Sequence, residues 1–178
     1  MTTMRNVRSH YVTAFNRRFA QMNADGQGVH AEIRIEHGGP RRHELYRQTV
    51  MDVIRKDVVG AVSATRIVTD PIEVSYPELP IKSPVAWHAM TFHCVPLEFP
   101  EVELVAWGNK WINDEDPPLG PQDGLTGIIH FVSEPEEHDG VVEFEVDFGS
   151  APIEAFEELT ELLGSRIVEI FSYGDCGA

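Results

Sequence analysis

The segment Trp87-His-Ala-Met-Thr-Phe-His-Cys94 puts two imidazoles and a thiol close together, and these are the side chains from which nucleophilic and metal sites are built. Strand alternation sends His88, Met90, Phe92 and Cys94 to one face and Trp87, Ala89, Thr91 and His93 to the other. His88 and His93 therefore point apart. His88 and Cys94 share a face but lie about 20 Å apart at strand rise. A structural zinc wants four ligands at short characteristic spacings, and none of those spacings occurs, so no metal is expected. The second candidate is the row Glu143, Glu145 and Asp147, on one strand face at steps of about 7 Å. Carboxylates so placed can hold a divalent cation or act as acid and base, with His88 or His130 as the imidazole that would join them. The competing reading of the same row is the solvent side of an amphipathic strand.

Three further segments carry chemistry-bearing residues. Phe148-Gly-Ser-Ala-Pro152 stands between an expected strand and an expected helix, where backbone amides can receive an anion. Glu154 already meets the positive helix end, so capping by Ser150 is the preferred reading. The loop Asn113–Gly124 bears Asp114, Glu115, Asp116 and Asp123 but lacks the alternating ligands and central glycine of a calcium loop. Trp107 and Trp111 flank that loop and serve either as interface anchors or as the edge of the core. No phosphate-binding, dinucleotide, nucleophile-elbow or zinc-protease fingerprint occurs, so no cofactor is expected and no catalytic residue is assigned.

The elements that must position these residues are most legible at the C-terminal end. Val142, Phe144, Val146 and Phe148 alternate with acids as a half-buried strand. Ile153, Phe156, Leu159, Leu162 and Leu163 recur at helical spacing, with Pro152 in the first turn and Gly164 as the stop. Arg166–Tyr173 is apolar on both faces, as a more central strand would be. Together they predict a β-α-β unit over 141–173. At the other end, Tyr11, Val12, Phe15, Phe19 and Met22 form one stripe of a helix over about 5–22. A docked core helix is the preferred reading there, ahead of a partner-binding or membrane-surface helix or a transit peptide.

Between these ends, Val29–Glu36 alternates as a strand. Arg41–Lys56 fits a helix through Tyr46, Val50, Val53 and Ile54, in preference to a hairpin turning at Gly38-Gly39. Strands are also expected over Ala61–Val68, Ile72–Tyr76, Val85–Val95 and Glu101–Trp107. Leu125–Val132 and Val141–Phe148 are expected to form a hairpin around the acidic turn Glu134–Gly140. The predicted architecture is one α+β domain spanning the chain, a mostly antiparallel sheet of about five to seven strands with two or three helices.

Charge bounds the function. The net charge is −15 over 178 residues, and it is unevenly distributed. Residues 1–66 hold 11 Lys and Arg against 6 Asp and Glu, whereas residues 67–178 hold 3 against 23. A field of this sign repels phosphates and disfavours nucleic acid. The basic third can pack on the acidic remainder, or the surplus can attract a basic partner. No apolar run approaches the roughly 18 residues of a membrane span, and two cysteines make no disulfide framework, so a cytoplasmic protein is expected. Two functions follow as expectations. The first is a non-enzymatic acidic protein that docks a basic protein, as inhibitors and immunity proteins do. The alternative is a small hydrolytic or metal-assisted enzyme using His88 or His130 with Glu143, Glu145 and Asp147.

Overall fold

In the computed structural model, which describes residues 3–24, 28–56, 67–121 and 123–173, the N-terminal stripe forms helix α1 (Met4–Asn23). Its buried residues are Met4, Val7, Tyr11, Val12, Phe15 and Met22. The helix is docked rather than free. Arg8 donates from Nε to the Ala151 carbonyl at 2.8 Å and pairs with Asp123 at 2.7 Å.

Strands β1 (Val29–His37) and β2 (Gln48–Lys56) follow as an antiparallel hairpin, with a short 3-10 helix at Glu44–Arg47 before β2. The helix expected over Arg41–Lys56 is therefore corrected to a 3-10 turn and a strand. The reason lies at Asp52. Val50, Asp52 and Ile54 share the buried face, and a carboxylate at a core position erases the apolar alternation by which a strand is read.

The strand expected over Ala61–Val68 lies, except for its last two residues, outside the described residues. Ile72–Tyr76 and the start of Val85–Val95 contribute only isolated bridges, Ile72 to Val85 and Ala86 to Ala89, and the regular strand is β3 (Met90–Cys94). Glu101–Trp107, expected as a strand, is the start of helix α2 (Glu101–Trp111). Its buried residues Leu104, Trp107, Gly108 and Trp111 fall at steps of three and four, a pattern that extends beyond the seven residues first read as alternation.

The chain then forms β4 (Phe131–Val132), β5 (Glu136–His138), β6 (Val141–Asp147), helix α3 (Ile153–Leu163) and β7 (Ile167–Phe171). Of the expected strand Leu125–Val132, only the last two residues pair regularly, and β5 occupies part of the expected acidic turn. The described residues make an α+β fold of three α-helices and seven strands in two antiparallel sheets, β1-β2 and β4-β6-β3-β7, with β5 also on β6. The closing β-α-β has a strand inserted in it: β6 and β7 run the same way but both pair antiparallel with β3 between them. No helix among the described residues is long and apolar enough to cross a membrane.

The core lies between this sheet and the helices. Phe92 stacks on Phe144 across β3 and β6 at 5.2 Å, and Trp87 lies against Phe148 at 4.7 Å. Gly108 lets α2 close on the 3-10 turn, since a Cβ there would stand 2.4 Å from Leu45 Cδ2. Leu45 is only 1% exposed and has little room to yield. Alanine at 108 gains about 1 kcal/mol of helix propensity but meets an overpacking cost of about 1–3 kcal/mol. Gly108→Ala is therefore expected to lower the unfolding free energy in urea by about 1 kcal/mol; a stabilised variant would show that Leu45 repacks freely.

Candidate functional site

The pairing of β3 with both neighbours fixes one face of the sheet. His93 stands directly opposite Glu143 of β6 and Glu169 of β7, and Thr91 stands opposite Glu145. The His93 ring lies 2.6 Å from Glu143 through Nε2 and 2.9 Å from Glu169 through Nδ1. Lys82 also pairs with Glu169, and these two partners hold that carboxyl below its ordinary range, Lys82 contributing most. Tyr173 donates its hydroxyl to Glu143 at 3.3 Å.

Above this face the turn of the β1–β2 hairpin overhangs, leaving a cleft of about 310 Å³. Thr91, Glu143 and Glu145 line it from the sheet, and Arg41, Tyr46 and Arg47 from the hairpin. A third wall carries Glu134 and Glu136. Arg42 clamps Glu134 and reaches Glu101 at 3.2 Å, which holds the Glu134 carboxyl low. Burial, with Glu101 nearby, pushes the Tyr46 phenol far above its usual range. Among the described residues Arg47 Nε is buried without a hydrogen-bond partner. The cleft is thus polar, carries both signs of charge with carboxylates in excess, and suits cationic or dipolar groups better than anions.

Of the residues expected to act together, Glu143 and Glu145 reach this cleft and the others do not line it. Asp147 continues the same strand face but is 4% exposed, against His130. Trp107 and Trp111 are buried, donating their indole N–H groups to the Ala155 carbonyl and to Glu158. Asp114 and Asp116 follow α2 in a turn closed by Asn113, whose Oδ1 accepts from the amides of Glu115 and Asp116. Ser150 does not cap α3, contrary to expectation. It is fully buried, its hydroxyl oxygen accepts from Gly127 and Ile128, and Pro152 holds the cap position.

His88 lies just before β3 with Nδ1 3.3 Å from the Thr69 hydroxyl, and burial drives the Cys94 thiol up to about 12, away from thiolate character. Among the described residues no group of three or more His, Cys, Asp or Glu could hold a metal ion. The sequence does not single out Arg41, Tyr46 or Arg47 as site residues, and it offers His93 without its partners Glu143 and Glu169. The first three come from a segment read as a helix and His93 from the far end of the His-Cys segment, and no local spacing connects them to Glu143.

His130 forms a second, closed cluster. It is 3% exposed, with Nε2 3.0 Å from Asp52 Oδ2 and Nδ1 3.6 Å from Asp147 Oδ1. The contact of Nε2 with Asp52 is an ion pair whenever the ring is protonated. Tyr11 donates to the same Asp52 oxygen at 3.1 Å, and the Gly149 amide donates to Asp147 Oδ1 at 2.9 Å. Desolvation opposes the charge on His130, but Asp147 and then Asp52 outweigh it and raise its pKa to about 10. The folded value lies above the unfolded one of about 6.5. The pairing therefore stabilises the fold fully below pH of about 6.5, and its contribution is lost as pH rises through about 10. Urea midpoints across that window should fall with pH. His130→Gln, which leaves two buried carboxylates facing each other, should flatten the slope and cost about 3–5 kcal/mol. An unchanged pH profile in the variant would rule out a charged His130. Comparison of the chain with protein-family models, curated proteins and solved structures finds no match.

Proposed function

We propose that the protein is a non-enzymatic binding protein whose acidic surface docks a basic protein partner, in the manner of small inhibitors and immunity proteins. The observation that carries this reading is how the positive charge is used. Arginines of the basic N-terminal third are turned onto the chain's own acids, Arg5 to Glu157, Arg8 to Asp123 and Arg42 to Glu134. The acidic remainder keeps its surplus, with Glu154 and Glu161 exposed along α3 and Glu136, Glu137 and Asp139 exposed beside the cleft. Glu143 and Glu145 in the cleft, with Asp114 and Asp116 on the loop after α2, are the contact groups of this reading. The same field disfavours nucleic acid, and the location that goes with it is the cytoplasm. A hydrolytic or metal-assisted enzyme would need His88 or His130 in the cleft. His130 is instead enclosed between Asp52 and Asp147, and His88 is turned to Thr69.

An array of lysine- and arginine-rich peptides of equal charge tests this. Binding should be selective among sequences, fall at least about tenfold between about 0.05 and 0.5 M salt, and be lost in the double variant Glu136→Lys/Glu145→Lys. Binding that ignores salt, or that is equal for every peptide, would overturn the reading.

A further inference from the structure

The β1–β2 hairpin offers its outer edge as well as its turn. Nine residue pairs join the strands without a register shift, from Val29 opposite Lys56 to His37 opposite Gln48. The Gly38 amide donates to the Arg47 carbonyl at 2.7 Å, which identifies the hydrogen-bonded pairs of the ladder as those of the even-numbered β1 residues. Val29, Ala31, Ile33, Ile35 and His37 therefore direct their N–H and C=O groups away from β2. The opposite side of the ladder agrees: the Val50 amide, across from Ile35, points outward from β2 to the His130 carbonyl at 2.7 Å.

Among the described residues nothing pairs with the outer edge of β1. All of the strand is exposed except Val29 and the half-buried Ile33, and it contains no proline or bulge to blunt it. The side chains along this edge are complementary to themselves. When two copies lie antiparallel about a two-fold axis through Ile33, Glu32 of each copy faces Arg34 of the other, and His30 faces Glu36. Ala31 faces Ile35 on the second face. Moving the axis to residue 32 sets Glu32 against Glu32, and moving it to residue 34 sets Arg34 against Arg34 and Glu32 against Glu36. Moving it to a half-integer position pairs outward-facing backbone groups with inward-facing ones and forms no ladder. Like charges directly opposite repel, which disfavours the axes at 32 and 34, and axes at 31 or 35 overlap a shorter stretch of the strand, so charge and overlap together select the Ile33 register.

We propose that β1 is a homodimer contact, two copies of this chain joining edge to edge into a four-stranded antiparallel sheet centred on Ile33. The contact goes beyond docking of a basic partner and is independent of it. Glu32 and Arg34 now pair within the chain, Glu32 with Arg55 at 3.6 Å and Arg34 with Glu36 at 2.8 Å. All four side chains are about half exposed, so these pairs can be exchanged or shared at little cost.

Sedimentation of the full chain over a concentration series to about 1 mM is the test. The unmodified protein should show a monomer–dimer equilibrium. Arg34→Glu and Glu32→Arg should each weaken it about tenfold by placing like charges opposite one another at both symmetry-related sites. The double variant Glu32→Arg/Arg34→Glu should restore it. Backbone hydrogen exchange of the unmodified protein supplies a readout that needs no variant: the Ile33 and Ile35 amides should become slower to exchange as concentration rises. A monomer at every concentration overturns the proposal. So does a dimer indifferent to both single substitutions, a double variant that does not recover, or amides that exchange fast throughout.

Discussion

An imidazole enclosed between two carboxylates is costly to desolvate in its charged form, and the arrangement is tolerated only where the surrounding chain holds both partners in place. His130 is so enclosed, and its partners come from separate parts of the sequence: Asp52 from β2, Asp147 from β6, with Tyr11 of α1 bonded to Asp52. The cluster therefore ties the N-terminal helix and hairpin to the C-terminal sheet at one buried point. Its closeness is fixed by Gly149, where φ is +48° and a Cβ would stand 2.2 Å from the His130 ring. The backbone reinforces the join, because the His130 amide donates to the Asp147 carbonyl while its own carbonyl receives the Val50 amide.

This join explains why one row of carboxylates has two environments. Glu143, Glu145 and Asp147 share a strand face, as alternation requires. At the Asp147 end the face is roofed by His130, which Asp52 of β2 and Tyr11 of α1 hold in place, and the acid is buried against that imidazole. At the Glu143 end only the hairpin turn overhangs, and the acids stay in a wet cleft with Arg41 and Arg47 opposite. Local sequence records the row but not the roof. A roof is a long-range contact, and its composition is polar where a core strand is usually apolar.

The same fact sets what was legible. The β6–α3–β7 stretch could be read because each of its elements is amphipathic with its own period and punctuated by Pro152 and Gly164. The β2 strand could not, since Asp52 stands where its apolar face should continue. Helix α2 was disguised differently: Glu101, Glu103 and the valines between and after them imitate alternation for seven residues, and only the spacing of Leu104, Trp107 and Trp111 reveals the helix. The cleft was half legible. Its glutamates were evident as a row, whereas Arg41, Tyr46 and Arg47 reach it only because the hairpin folds back over the sheet.

The two sheets also treat their edges differently, and the difference bears on association. β7 is the last strand of its sheet, but the segment before β3 lies along it: Lys82 donates its amide to the Ile170 carbonyl, and the Ile170 amide donates to Pro80. That edge is capped within the chain by residues that form no strand themselves. On the hairpin, β2 is covered on its outer side by the His130 carbonyl, while β1 carries alternating charge and, among the described residues, no covering segment. Charges on an edge normally exclude every neighbour equally. A sequence in which opposite charges are placed symmetrically about one apolar residue excludes most neighbours yet admits its own reversed copy, so the feature that protects this edge from general aggregation also specifies a single partner and a single register.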